Sequence, residues 1–432
     1  MAAPAQIVVV GGGVVGLASA FHLQRAGARV LLVDRDARTP AASYGNAGHI
    51  AVEQVEPLAS PQVLRSAVRR LYGLGGALDF RLRDVGVWGP WARRYLDACT
   101  VESHARGRTA LKALLTVALP AWRRLAAGVD QPDLVVERGH YVVWESARTA
   151  AAGQAAWRAA DIGPAQAHAL TTAQLAELSA GLRAPVAGGL AFEGTGQVKR
   201  PGLVLKGLRE AFRDAGGELA TAHAVGLALS EGRTEIVLMD GKRLRPETVV
   251  VAGGVGSGAL MRSAGHVAPV IAERGYHIEG EAVGWGDLPP VAFEDRSMIL
   301  TRFGSRLRAA SFVEFGRAEA PADRRKWGRL RRHLRELGVE LSGDVSEWMG
   351  ARPTLPDYLP AIGRSRRAPN LLYAFGHQHL GLTLAAVTGE LVAALATDAA
   401  TAVDLAPFDL ERFERKPSPR PGPAPSVQKG TP

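Results

Sequence analysis

Within its first thirty-six residues the chain runs from an apolar stretch, Gln6 to Val10, into Gly11-Gly12-Gly13-Val14-Val15-Gly16, and a second apolar stretch ends at Asp34. The order predicts a parallel strand, a tight glycine turn, a helix over Val14 to Ala26 closed by Gly27, and a second strand over Ala28 to Val33. This is the layout of a dinucleotide-binding βαβ unit. Gly11 permits the turn, Gly13 lets the backbone approach a pyrophosphate, and Gly16 lets helix and strand pack closely. The helix N-terminus at Val14 and Val15 offers free N–H groups and the positive end of a dipole, and Asp34 can accept hydrogen bonds from a ribose. The unit alone does not separate FAD from NAD.

The remaining length allows a second domain. At 432 residues and 47% hydrophobic composition, the chain can bury a sizeable core. No positively charged leader with an apolar stretch precedes Gln6, and no run reaches the eighteen or so uninterrupted apolar residues of a spanning helix. A single cysteine, Cys99, excludes an internal disulfide and a cysteine-cluster metal site from this chain, which fits a reducing cytoplasm. The net charge of +10 concentrates at Arg65 to Arg70, Arg324 to Arg335 and Arg364 to Arg367. The middle segment reads as an amphipathic helix with a basic face, solvated or in peripheral contact with an anionic membrane. No nucleic-acid module is recognisable.

Further along, Pro61 to about Ala127 reads as mainly helical, and strands are expected at His140 to Trp144 and Gly189 to Phe192. A helix over Pro201 to Ala215 precedes strands at Leu219 to Val225, Thr234 to Met239 and Thr248 to Ala252. Tyr276 to Val283, Ser297 to Thr301 and Arg306 to Phe315 read as antiparallel strands of a separate sheet. A strand at Leu371 to Phe375 and a helix from Leu382 to about Ala396 follow, and the proline-rich tail lacks the apolar content to fold.

Three other segments read as functional loops. Ser43-Tyr44-Gly45-Asn46-Ala47-Gly48-His49-Ile50 has small residues that allow a backbone to lie against a flat ligand, with Asn46 and His49 as polar contacts. In Trp348 to Asp357, Arg352 follows small residues and is fixed by Pro353. Gly376 to Thr383 is a strand-to-helix turn whose helix N-terminus can stabilise negative charge. His377 and His379 do not make a metal site there, since no cysteine or acidic cluster completes it, and no metal is expected.

In this order and spacing, GGGVVG with Asp34, SYGNAGHI, VVVAGGVGSGAL with ERGYH, and GARPTLPDYLPAIGRS with AFGHQHLGLT resemble the D-amino-acid-oxidase-like FAD oxidoreductases, and within them the bacterial D-amino-acid dehydrogenases. The resemblance implies an α/β fold, α+β overall. An FAD-binding domain would be assembled from residues 1–80, 195–262 and 345–413, a substrate domain with an antiparallel sheet from 81–194 and 263–344, and a disordered tail from 414–432. It implies that Gly11, Gly13, Val14, Val15, Gly16, Asp34 and Arg35 hold the ADP half of FAD. Ser43, Asn46, Ala47, Gly48 and His49 would lie along the pyrophosphate, ribityl chain or ring, and Val225, Ala252 and Gly253 would close the adenine pocket. The backbone from His379 through Leu380, Gly381 and Leu382 to Thr383 would face the flavin.

Arg352 matches the arginine that takes a substrate carboxylate. Tyr276 and His277 are expected to line the substrate pocket, with His379 beside them. Asp34 stands where many relatives carry glutamate, and the histidine-rich turn replaces simpler glycine-rich versions. The implied activity is removal of hydride from the α-carbon of a D-amino acid, D-proline or hydroxy-D-proline among the candidates, to flavin N5. Electrons would pass to a quinone or an electron-transfer protein. The alternatives are a sarcosine- or glycine-type oxidase using oxygen, or a noncatalytic FAD-binding subunit.

Overall fold

The computed structural model describes residues 6–35, 41–282 and 284–414; the tail expectation lies outside them. Gln6–Val10 and Arg29–Asp34 are parallel neighbours joined by the helix Val14–Arg25, as the opening pattern requires. The sheet extends on one side to Glu218–Thr221. On the other side it passes through Thr248–Val251 and Leu371–Phe375 to an antiparallel edge strand, Ala361–Arg364. Six strands from distant parts of the chain therefore make one nucleotide-type sheet. The near-continuous burial of the central strands follows from layers covering both faces of a parallel sheet, whereas the edge strand Glu218–Thr221 has no buried residue.

On one face, the helix Gly381–Ala396 lies between the first helix and the long helix Val101–Gly128. The stretch Gln378–Ala396 is long and apolar enough to cross a bilayer by length and composition. Here its apolarity is used inside the protein, with Leu384, Val387, Leu391 and Val392 in the main core.

The second sheet has nine strands and carries the other half of the cavity. Its edge is Leu341–Thr354, followed by Ile271–Ala282, Arg306–Gly316 and Met298–Phe303. Several expectations change here. The segment around Arg352, read as a loop, is strand through Thr354, and its Pro353 is tolerated because the strand is an edge. This strand carries the chain past residue 345 while still in the large sheet. The stretch from Pro61 is broken at Gly73, Gly75 and Gly76, after which Leu78–Phe80 pairs in parallel with Val313–Phe315. Leu219 to Val225 is not one strand: Glu218–Thr221 ends the nucleotide sheet, and Ala224–Ser230 opens a separate three-stranded sheet.

The helix Arg324–Leu337 keeps Arg324, Arg332 and Arg335 exposed and unpaired among the described residues, while its other cations are engaged. Lys326 is fully buried, 2.6 Å from Asp79 and 2.5 Å from Glu314, and Glu314 also meets Arg274 at 2.8 Å. Arg325 pairs with Asp323, Arg331 with Glu347, and Arg329 donates to the carbonyls of Tyr72 and Gly76. Lys326→Ala leaves buried carboxylates short of a counter-charge and is expected to cost about 3 to 5 kcal/mol. Thermal unfolding checks this, and an unchanged Tm contradicts it.

Candidate functional site

A cavity of about 2450 Å³ runs between the two sheets. Its wall begins at Gly11 to Val15, passes Asp34, Arg35, Ala252, Gly253 and Val225, and continues along Ser43, Asn46, Ala47 and His49. It ends among His379, Gly381, Leu382, Tyr276 and Arg352. The first helix follows Gly13, which offers no side-chain cap, and has no acidic residue in its first turn; the Val14 N–H donates to Ser43 Oγ at 3.2 Å, and the positive end of the helix faces the cavity. Asp34 follows, its carboxyl pushed above the usual range by burial, with Oδ1 accepting from the Arg35 N–H at 2.8 Å. A helix start free of acidic residues, an acid one strand away and a long cavity fit the ADP half and ring of FAD.

Gly16, Gly48, Leu380 and Thr383 support the wall from behind. A Cβ at Gly16 would run into the Gly11 carbonyl, which is the close helix–strand contact anticipated for that position. Gly48 backs onto the Phe303 ring, and Leu380 is in the core. Thr383 Oγ1 accepts from the Ala51 N–H at 3.0 Å, while Trp122 Nε1 donates to the Leu382 and Thr383 carbonyls at 3.1 Å. The turn at the start of the last long helix is therefore pinned from two sides.

Arg352 lies flat across Gly275 on the neighbouring strand, where any Cβ would collide with the guanidinium. Its Nη1 donates to Glu273 Oε1 and to the Phe312 carbonyl, both at 3.1 Å. Nε and Nη2 make no hydrogen bond among the described residues, so one edge of the fork remains open on the cavity. Glu273, buried, is satisfied on its other oxygen by Thr354 Oγ1 at 3.1 Å and the Tyr358 hydroxyl at 3.3 Å. Burial, and then the Glu273 charge, push the Tyr358 hydroxyl well above its ordinary pKa, which keeps it a donor.

Tyr276 and His277 do not share a role. Consecutive strand residues point to opposite faces. Tyr276 reaches the cavity wall, but its hydroxyl donates to Glu314 at 3.1 Å and accepts from the Asp323 N–H at 3.2 Å. His277 sits behind the wall, donating Nδ1–H to the Gly45 carbonyl at 3.0 Å and stacking on Trp348 with ring centroids 5.2 Å apart. His379 faces the cavity; burial lowers its pKa to about 4, and the neutral ring bonds through Nε2 to Gln54 Oε1 at 2.7 Å. That bond fixes the proton on Nε2 and leaves Nδ1 an acceptor. His377 turns the other way, to Thr388 Oγ1 at 3.0 Å.

A different group of metal-ligating residues does come together. His49, Glu53 and His140 bring their ligand atoms within 4.8 Å of one another. His49 Nδ1 meets the Gly196 carbonyl at 3.1 Å, and its Nε2 meets Glu53 Oε1 at 3.1 Å. Both nitrogens of His49 are thus engaged, which leaves neither free for a covalent flavin link. Glu53, Gln54, Glu273, Trp348 and Tyr358 were not singled out from the sequence. Glu273 stood within the quoted ERGYH, and its cross-strand pairing with Arg352 was the missing signal.

Burial holds His140, His277 and His377 at a pKa of about 3 and His379 at about 4, against an ordinary 6.5. The unfolded chain therefore binds protons that the folded one resists. Stability from these groups is complete above about pH 6.5 and declines as pH falls toward 4. Tm measured from pH 7 to 5 should drop; a profile flat to pH 5 contradicts this.

Comparison with known proteins agrees with this geometry. The family model described as FAD dependent oxidoreductase, DAO, matches residues 6–395. A protein of Bradyrhizobium diazoefficiens named D-amino-acid oxidase is 32% identical, over 94% of this chain and 98% of its own. One of Paramagnetospirillum magneticum named D-amino acid dehydrogenase is 28% identical, over 94% and 99%. Among solved structures, glycine oxidase from Geobacillus kaustophilus superposes with a TM-score of 0.71 at 22% identity, covering 94% of this chain and 99% of that one. With the glycine turn, the helix start and the long cavity in place, the chain belongs to the DAO family of FAD-dependent oxidoreductases.

Proposed function

We propose that this enzyme oxidises a D-amino acid to the imino acid, with Arg352 binding the substrate carboxylate. The observation that carries the reading is the open edge of Arg352 on the cavity, backed by buried Glu273. A guanidinium presents paired donors in a plane that matches a carboxylate. Glu273 already balances one unit of charge, so a carboxylate alone would leave the pocket net negative. The ammonium of an amino acid restores neutrality, which favours a zwitterion over a simple acid. His379 Nδ1 is the acceptor nearest in kind to an amine.

Bound FAD supplies the two-electron acceptor. The chain's own residues fix the substrate by its carboxylate and orient the amine; the ammonium gives its proton to solvent before the Cα–H bond breaks, after which no side chain need act as base. An acyclic imine hydrolyses to a 2-oxo acid and ammonia; a proline-type ring leaves as the cyclic imine. The D configuration is supported by the names of the curated relatives, oxidase and dehydrogenase alike. D-proline and hydroxy-D-proline remain part of the reading through the motif resemblance. We assign dehydrogenation to a quinone or electron-transfer protein; hydrogen peroxide formed in step with turnover in air would replace it with the oxidase reading.

A panel of D- and L-amino acids with an artificial dye tests the substrate class; faster reduction by L-isomers overturns the stereochemistry. Removing one member of a buried ion pair costs about 3 to 5 kcal/mol, so Arg352→Ala should lower kcat/KM on the order of a hundred- to a thousandfold or more. Arg352→Lys, lacking the fork, and Gly275→Ala, which displaces the guanidinium, should also be poor. All three should stay yellow. Near-normal kcat/KM in Arg352→Ala with FAD bound removes this residue as the anchor.

A further inference from the structure

The arginine concentrations seen in the sequence have different fates in the fold. Arg364, Arg366 and Arg367 pair with Asp398, Asp409 and Glu414, and the Arg324–Leu337 helix is partly paired as described. On that helix Arg324, Arg332 and Arg335 stay exposed and make no ion pair among the described residues, and in Arg65 to Arg70 no arginine is paired at all. Arg65, Arg69, Arg70, Arg83 and Arg93 are exposed and make no ion pair among the described residues, whereas Asp97 is the one exposed acid between residues 61 and 101.

The same segment gathers the exposed apolar side chains. Among the described residues, eight of thirteen exposed large hydrophobics lie between Leu64 and Val101, with Leu82 at 82%, Val101 at 69%, Leu74 at 67% and Val68 at 64% exposure. Leu64, Leu74, Leu82 and Leu96 also line the cavity, so these side chains ring its mouth. A hydrogen bond from the Tyr95 hydroxyl to the Leu58 carbonyl ties the two parts of this layer together.

We infer that this apron docks on an anionic lipid bilayer, with its leucines and valines in the headgroup boundary and its arginines on the lipid charges. Scattered exposed leucines need no explanation, but a contiguous patch marks a binding face. Arginines around apolar side chains match the chemistry of an acidic membrane surface. A second copy fits poorly, because a two-fold interface would set this uncompensated positive surface against itself. The bilayer would meet the open end of the cavity, on the side away from the nucleotide turn.

Flotation of the full-length holoenzyme with vesicles of phosphatidylglycerol and phosphatidylethanolamine, and with phosphatidylcholine alone, tests the inference. Binding is expected to the anionic vesicles, weaker to the neutral ones, and to fall with salt. Val68→Ser with Val85→Ser, and separately Arg69→Glu with Arg83→Glu, should each reduce binding at least tenfold while dye turnover and Tm hold. Leu229→Ser with Met239→Ser, on the small sheet, should bind as the parent does. No binding to anionic vesicles, or binding indifferent to the apron variants, overturns the inference. So does a dimer in sedimentation that the apron variants dissociate, which would assign the face to a second copy. The readout needs no turnover, so its failure leaves the amino-acid reading standing.

Discussion

Buried Glu273 organises the reactive end of this molecule. A carboxylate at that depth survives only with its oxygens satisfied, and three side chains supply the partners: Arg352 and Thr354 from the edge strand and Tyr358 from the turn that follows it. The arrangement fixes half of the Arg352 fork and leaves the other half facing the cavity. An arginine without such a backing would be free to pair elsewhere or to leave for solvent. Glycine at 275 is the steric condition for this placement, since the guanidinium occupies the space of a side chain.

The cofactor end depends on a second set of contacts between the sheets. Arg308, nearly fully buried, is held by Glu279 and donates to the carbonyls of Tyr44 and Asn46. His277 holds the Gly45 carbonyl, and Trp348 packs over Gly45 itself. The segment predicted to lie along FAD is therefore clamped by the substrate sheet. The Ser43 to Ile50 segment and the sheet that carries Arg352 and Glu273 are thus joined directly, as alignment of two bound molecules requires.

What the sequence made legible follows from how local each signal is. The opening strand, glycine turn, helix and Asp34 are contiguous, and period and turn chemistry suffice to place them. Arg352 was identified by resemblance, but its strand was not, because an edge strand rich in glycine and carrying Pro353 has weak local preference and is set by pairing with Ile271–Ala282. Tyr276 and His277 were read as a pair, although alternation along a strand already separates them. Counting arginines found three basic segments. Only the fold shows that acids from distant positions neutralise Arg364, Arg366 and Arg367 and part of the Arg324–Leu337 helix, because ion pairing is a property of tertiary neighbours.

The most direct test uses 2-aminoisobutyric acid, an amino acid with no α-hydrogen and hence no oxidation. Titrated into the holoenzyme, it should perturb the visible flavin spectrum saturably. 2-Aminoisobutyramide keeps the amine and shape but has no carboxylate, and it should produce no such change. Equal perturbation by the amide, or none by the acid, would contradict the claim that the open edge of Arg352 holds the substrate by its carboxylate.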